Sequence, residues 1–136
     1  MKLRGETYLK LEKYNEALTD FNKLLELEPN DYLALELREE TYQNLEKYNE
    51  ALTDFNKLLE IRPDHVLALR LRGEINLKSK KYNEALTDFN KLLKLEPNNY
   101  LALRLRGETY FELEKYNEAS IDFMKIEPDN AMLRLH

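Results

Sequence analysis

Lys-Tyr-Asn-Glu-Ala-Leu-Thr-Asp-Phe-Asn-Lys-Leu-Leu stands at residues 13–25 of this chain, and again, unchanged, at 47–59 and 81–93. The step is 34 residues each time, and a degraded fourth copy begins one step later at Lys115. Pro29, Pro63 and Pro97 keep the same step. A fixed period of this size means stacked supersecondary units in place of one globular core. The 136 residues divide into one array with units at about 1–31, 32–65, 66–99 and 100–128, and 129–136 reads as the start of a further helix.

Each unit reads as two helices. The first covers about 31–45, 65–79 and 99–113, with a trimmed copy at 2–11. The second covers about 15–28, 49–61, 83–95 and 117–126. Asn15, Asn49, Asn83 and Asn117 fall where the second helix starts and are expected as its N-caps. The prolines stop it. Leu33 to Arg38 alternates with period two, as a strand would, but the segment runs on for about 14 residues in strong helix formers, so a helix is expected. Ala51, Leu52, Phe55, Leu58 and Leu59 form the stripe of an amphipathic second helix. The first helix is apolar on two sides. Leu35, Tyr42 and the Gly73 or Gly107 place share one side, and Leu33 and Leu37 lie roughly opposite.

These repeats resemble the tetratricopeptide repeat family over nearly the whole chain. The family's small residue early in the first helix matches Gly73, its packing alanine Ala85, its aromatic Phe89 and its closing proline Pro97. Gly107, Ala119 and Phe123 match in the next unit, and Gly5, Ala17, Phe21 and Pro29 in the first. Leu35, Leu69 and Leu103 stand where the family usually has Trp, and Arg72-Gly73 with Asp88-Phe89 looks like a common subtype. The resemblance implies an all-α, right-handed superhelical solenoid of antiparallel helix pairs. It implies that the first helices line a concave face that holds a peptide or another protein, without catalysis.

Composition narrows the function. With no Cys, only His65 and His136, and Ser only at 79 and 120, neither a nucleophile triad nor a zinc site can be assembled. No Gly-rich phosphate loop occurs, so no enzyme activity, cofactor or metal is expected. The net charge of −5 disfavours nucleic acid and anionic membranes. RNA-reading helical arrays would need polar side chains where this chain has Leu. The longest apolar runs, Tyr32–Leu35 and Val66–Leu69, are far below the roughly 20 residues of a membrane span. Met1 to Glu6 has no apolar signal region, which points to a cytoplasmic protein.

The expected concave face carries Leu33, Glu36, Leu37 and Glu40, then Leu67, Arg70, Leu71, Glu74 and Leu77, then Leu101, Arg104, Leu105, Glu108 and Phe111. Arg70 with Glu74 and Arg104 with Glu108 are four apart and suited to pair along one helix. Burying each of these leucines would contribute roughly 1.5–3 kcal/mol, against an association cost of roughly 4–15 kcal/mol. Family members that clamp the C-terminal carboxylate of a chaperone tail use Lys, Asn and Arg. The matching places here hold Lys2, Glu6, Leu37, Leu67 and Leu71, so this clamp is expected to be absent. A row of backbone-binding Asn is replaced by Leu3, Leu37, Leu71 and Leu105. Arg38, Arg72 and Arg106 repeat together with Asp20, Asp54 and Asp88 and read as structural pairs, for example Arg72 with Asp54 or Asp88.

The pattern breaks in three places. Glu39 takes the small-residue place and should strain the approach to Ala51 or swing out to solvent; in the next repeat, Asn76 replaces the Tyr of Tyr8, Tyr42 and Tyr110. Phe123 to Pro128 is three residues shorter than Phe89 to Pro97, which displaces the following tail by about 60° and 4.5 Å. The cut first helix should expose Leu18, Phe21 and Leu25, and the shortened last one Phe123 and Ile126, with Ala131, Met132, Leu133 and Leu135 out of phase. Such ends suit head-to-tail contact. The alternative to a peptide-binding module is therefore a self-associating scaffold, a dimer in first place, through Phe123, Ile126, Met132, Leu133 and Leu135. The uncapped ends read as a piece of a longer array, and the three identical helices as recent duplication or consensus design.

Overall fold

A computed structural model describes residues 1–126. Within them the chain forms eight helices and no strand: α1 Lys2–Lys10, α2 Tyr14–Leu27, α3 Tyr32–Asn44, α4 Tyr48–Ile61, α5 Val66–Lys78, α6 Tyr82–Leu95, α7 Tyr100–Glu112 and α8 Tyr116–Ile126. The period-two stretch at Leu33 to Arg38 is helical, as expected. Consecutive helices pair as hairpins: α1 with α2, α3 with α4, α5 with α6, α7 with α8. The chain separates into two compact units, Met1–Pro63 and Asp64–His136. In the first, α2 also packs on α3; in the second, α6 packs on α7. The expected further helix at 129–136, with Ala131, Met132, Leu133 and Leu135, lies outside the described residues.

The second helices bury the stripe read from the sequence. Ala17, Phe21, Ala51, Phe55, Ala85 and Phe89 are all but inaccessible. One charged residue interrupts each stripe, and it is solved in the same way four times. Arg4, Arg38, Arg72 and Arg106 each grip the Asp 16 residues later through two parallel hydrogen bonds, Nε and Nη2 to the two carboxylate oxygens. The Nη2–Oδ1 distances are 2.6–2.7 Å. Arg72 thus takes Asp88, in its own hairpin. Arg38 and Arg106 also donate to Asn22 and Asn90 on the preceding second helix of the same unit.

Beside each Arg–Asp pair lies a steric contact at the same separation. A Cβ built on Gly5, Gly73 or Gly107 would come within 2.4–2.6 Å of the ring of Phe21, Phe89 or Phe123. Glycine at these helical positions lets the ring sit against bare backbone. That explains why a residue about 1 kcal/mol worse than Ala in helix propensity is used there.

The helix ends differ from the sequence reading. The residues flanking the second helices at their start are Lys13, Lys47 and Lys81, with no side-chain cap; Asn15, Asn49 and Asn83 lie inside the first turn, as does Asn117 of α8. The preceding turn closes on backbone alone. Lys13 N donates to Tyr8 O and Glu12 N to Leu9 O, with Glu12 in the left-handed region at φ 61°, a Schellman-type ending without glycine. Glu46, Lys80 and Glu114 repeat it. The side-chain caps belong to the first helices, where Asp31, His65 Nδ1 and Asn99 accept from the N–H three residues on. Leu18, Phe21 and Leu25 are buried, not exposed; Phe21 is enclosed with Leu9, Ala17 and Leu37.

Removing the acid from one pair tests its share of stability. Asp54→Ala strands a half-buried guanidinium, and urea denaturation should show a loss of about 2–4 kcal/mol with the slope unchanged.

Candidate functional site

The first helices position the candidate binding residues. Residues 67, 70, 71, 74 and 77 follow the spacing of one helix face on α5, and Leu101, Arg104, Leu105 and Glu108 repeat it on α7 in the same unit. Leu67 is 50% exposed, Arg104 and Glu108 are exposed, and Arg70, Leu71, Glu74, Leu77 and Leu101 are half-buried. Arg70 Nη1 stands 3.0 Å from Glu74 Oε2, and Arg104 Nε 3.7 Å from Glu108 Oε1, so both expected pairs form. Phe111, 55% exposed, closes the α7 end of the face, its ring edge-on to Tyr116 at 5.4 Å. Leu33 is exposed on α3.

Two of the expected contact leucines are core. Leu37 is 8% exposed and packs with Leu9, Ala17 and Phe21; Leu105 is 5% exposed and packs with Ala85 and Phe89, supported by Leu77 and Leu101. The side of the first helix read as free is, at those two positions, the seat of the preceding hairpin. This reduces the apolar area open to a partner. Leu37 still forms the floor of a depression of about 270 Å³ between α1 and α3, ringed by Glu6, Glu12, Glu40 and Lys10. Glu36 on α3 is half-buried, and desolvation raises its carboxyl above the usual range, with Arg62 acting the other way. Among the described residues no group of His, Cys, Asp and Glu could hold a metal ion, and no helix is long and apolar enough to cross a membrane.

Of the expected oligomer contacts, Phe123 is 38% exposed and Ile126 half-buried; Met132, Leu133 and Leu135 lie outside the described residues. Sequence reading also passed over the opposite side of the hairpins. There a groove of about 670 Å³ runs between α2 and α4, with Arg38 and Asp54 in it, and one of about 450 Å³ between α6 and α8. Their rims include exposed polar positions of the repeated string, such as Asn22, Thr53, Asn56 and Asn90, which add nothing to the apolar stripe.

Glu39 neither swings out nor stays charged at low cost. It is 7% exposed, with Gln43 Nε2 donating to it at 2.8 Å. Burial pushes its carboxyl up to about 8; the Gln43 hydrogen bond opposes this, and the nearby carboxylates Glu40, Asp54 and Glu36 add to it. The residue opposite in the repeat register is Phe55, not Ala51, and its ring remains buried.

Three stretches match models described as tetratricopeptide repeat: residues 1–31, 40–65 and 66–99. No curated protein matches the chain in sequence. Solved structures match over most of it. A MamA of AMB-1 aligns at TM-score 0.88 with 21% identity, covering 93% of this chain and 69% of that one. A MamA of RS-1 (double mutant) aligns at 0.85 with 20% identity, covering 97% and 74%. The first TPR of Spaghetti (RPAP3), bound to the HSP90 peptide SRMEEVD, aligns at 0.73 with 28% identity, covering 83% and 90%.

The raised Glu39 carboxyl fixes the sign of a pH effect. Below the usual value of 4.5 both folded and unfolded chains hold the proton and Glu39 costs nothing. From there to about 8 only the unfolded chain ionises, so stability falls as pH rises, and above about 8 the loss is complete. Glu39→Gln should therefore match the parent near pH 4 and exceed it in denaturant titrations at pH 8–9, by on the order of 3–5 kcal/mol.

Proposed function

We propose that this chain, which belongs to the tetratricopeptide repeat family, is a protein-interaction module that receives an extended or helical peptide on its first-helix face. The observation that carries this reading is the α5–α7 surface. Leu67, with the half-buried Leu71 and Leu101, offers apolar contact area there between the Arg70–Glu74 and Arg104–Glu108 pairs. Phe111 supplies an aromatic anchor at its end. The Spaghetti repeat domain, bound to a peptide, supports the class of ligand.

The matching ligand has apolar side chains at helical or alternate spacing, and charges of both signs that exchange with the two Arg–Glu pairs. A chaperone tail of the SRMEEVD kind fits poorly. Glu6 stands at a clamp position, and Glu12 and Glu40 share its depression, so carboxylates would meet carboxylates. The buried Leu37 and Leu105 serve the stack; the contacts assigned to a partner on the α5–α7 face are Leu67, Arg70, Leu71, Glu74, Leu77, Leu101, Arg104, Glu108 and Phe111.

Self-association through the last hairpin is the second reading, favoured by one observation. Phe123 is 38% exposed, whereas Phe21, Phe55 and Phe89 are at most 1% exposed. Light scattering after size exclusion should give twice the chain mass if that ring is an interface, and a Phe123→Ser variant should return to the chain mass. A parent monomer at high micromolar concentration ends this reading.

For the first reading, peptide-library selection is carried out on the parent and on the double variant Arg70→Glu, Arg104→Glu. The two should return motifs that differ in charge at the flanking positions. The same motif from both excludes this face.

A further inference from the structure

The last second helix departs from the other three on its outer side. At the place of Thr19, Thr53 and Thr87 it has Ile121, and at the place of Asn22, Asn56 and Asn90 it has Met124. Inward it loses a leucine: Ser120 stands where the others have Leu18, Leu52 and Leu86. Ile121 and Met124 are 53% and 62% exposed. This is no effect of standing last. The matching Thr and Asn are exposed in all three other copies, including those followed by further helices. In the repeat these two positions are left to solvent. They also lie on the side of α8 turned away from the buried Ala119, and so away from the first-helix face.

The charge beside them changes as well. In the Met1–Pro63 unit the outer groove carries Glu26 and Glu60 against Lys57, with Arg38 paired to Asp54. In the other unit the groove carries Lys94 at the place of Glu26, Lys125 at the place of Lys57, and Arg106 paired to Asp122. Among the described residues its lining holds Lys94 and Lys125, while the carboxylate beside it, Asp122, is held by Arg106. This groove of about 450 Å³ has a lysine on each wall. On α8 the exposed Ile121 stands one turn before Lys125, and the exposed Met124 is its neighbour in sequence.

We propose that this α6–α8 groove is a second docking site, and that its occupant is an acidic segment with apolar side chains, a helix bearing Glu or Asp beside Leu-like residues. Lys94 and Lys125 meet its carboxylates, and Ile121 and Met124 take its apolar side chains. The complementarity selects this occupant: α8 brings a lysine and exposed apolar side chains together opposite Lys94, whereas the same groove in the other unit carries three carboxylates, Glu26, Asp54 and Glu60, with Thr53 and Asn56. The site does not depend on the first-helix face and stands if that reading fails.

The test is fluorescence anisotropy on the full chain at low salt, with a labelled helical peptide of Glu, Leu and Ala about four turns long. Two control peptides carry Ser for Leu, or Lys for Glu. The substitutions restore residues that other copies of the repeat already hold, so they preserve the fold, which circular dichroism verifies. Lys94→Glu should weaken binding about tenfold and flatten its salt dependence. Ile121→Thr with Met124→Asn should weaken it by more than about tenfold. Lys94→Glu should leave the motif selected by the α5–α7 face unchanged. Equal binding of the Ser peptide means charge alone and overturns the proposal. It is also overturned by binding that neither variant alters, and by no binding of the Glu–Leu peptide at high micromolar protein. Two other outcomes replace the occupant and overturn it too: a doubled mass that Met124→Asn abolishes, or retention on phosphatidylserine vesicles without peptide binding.

Discussion

A carboxylate buried in the apolar stripe of a helix must be held by a cation or cost several kcal/mol. Asp20, Asp54, Asp88 and Asp122 are all in this position, each 1–2% exposed, and each is held by the Arg 16 residues before it. The next residue along each helix makes a second contact at the same separation: Gly5 with Phe21, Gly73 with Phe89, Gly107 with Phe123. Arg-Gly on one helix therefore meets Asp-Phe on the other as a single unit, one half electrostatic and directional, the other steric. A slip of one residue would bury an unpaired charge and drive a side chain into the ring. Hydrophobic burial holds the hairpin closed, and this double contact sets its register.

Much of the remaining architecture follows. With the guanidinium turned into the hairpin, the residue two positions earlier on the first helix, Arg70 or Arg104, faces outward and pairs along its own helix. The stack is supported by the leucine just before the gripping arginine, Leu37 or Leu105, which the preceding hairpin covers. Glu39 is the exception that shows the strength of the scheme. It stands where Gly belongs, holds its proton near neutral pH, and the Arg38–Asp54 pair beside it still closes at 2.6 Å.

The fold was legible because the repeated string states the second helix three times, strong helix formers marked the first helix beside it, and the resemblance implied how the pairs stack. The Arg–Asp pairs were visible as co-repeating charges, but Asp54 and Asp88 were equally good partners for Arg72 on spacing alone; three-dimensional distance chose Asp88. The Asn caps were misplaced for a physical reason. A left-handed Glu12 closes the turn on backbone hydrogen bonds, so no side chain is needed there, and the caps appear at Asp31, His65 and Asn99. Leu37 and Leu105 were read as open because helix-wheel geometry separates two faces but does not count neighbours, and the first helix has a third one in the preceding hairpin. The outer grooves left no mark in the periodicity. Ile121, Met124 and Lys94 stand out only when each copy is compared with the others at positions already known to be exposed.

The register contact itself is most directly tested by a double-mutant cycle on Arg72 and Asp88, with Arg72→Met, Asp88→Leu and the double variant followed by urea denaturation. If the pair sets the register, each single change leaves the other charge without its partner, while the double change restores an apolar contact. The singles should then sum to about 2–3 kcal/mol more destabilisation than the double variant shows. Additivity within about 0.5 kcal/mol would mean that the two side chains act independently, and would contradict the account.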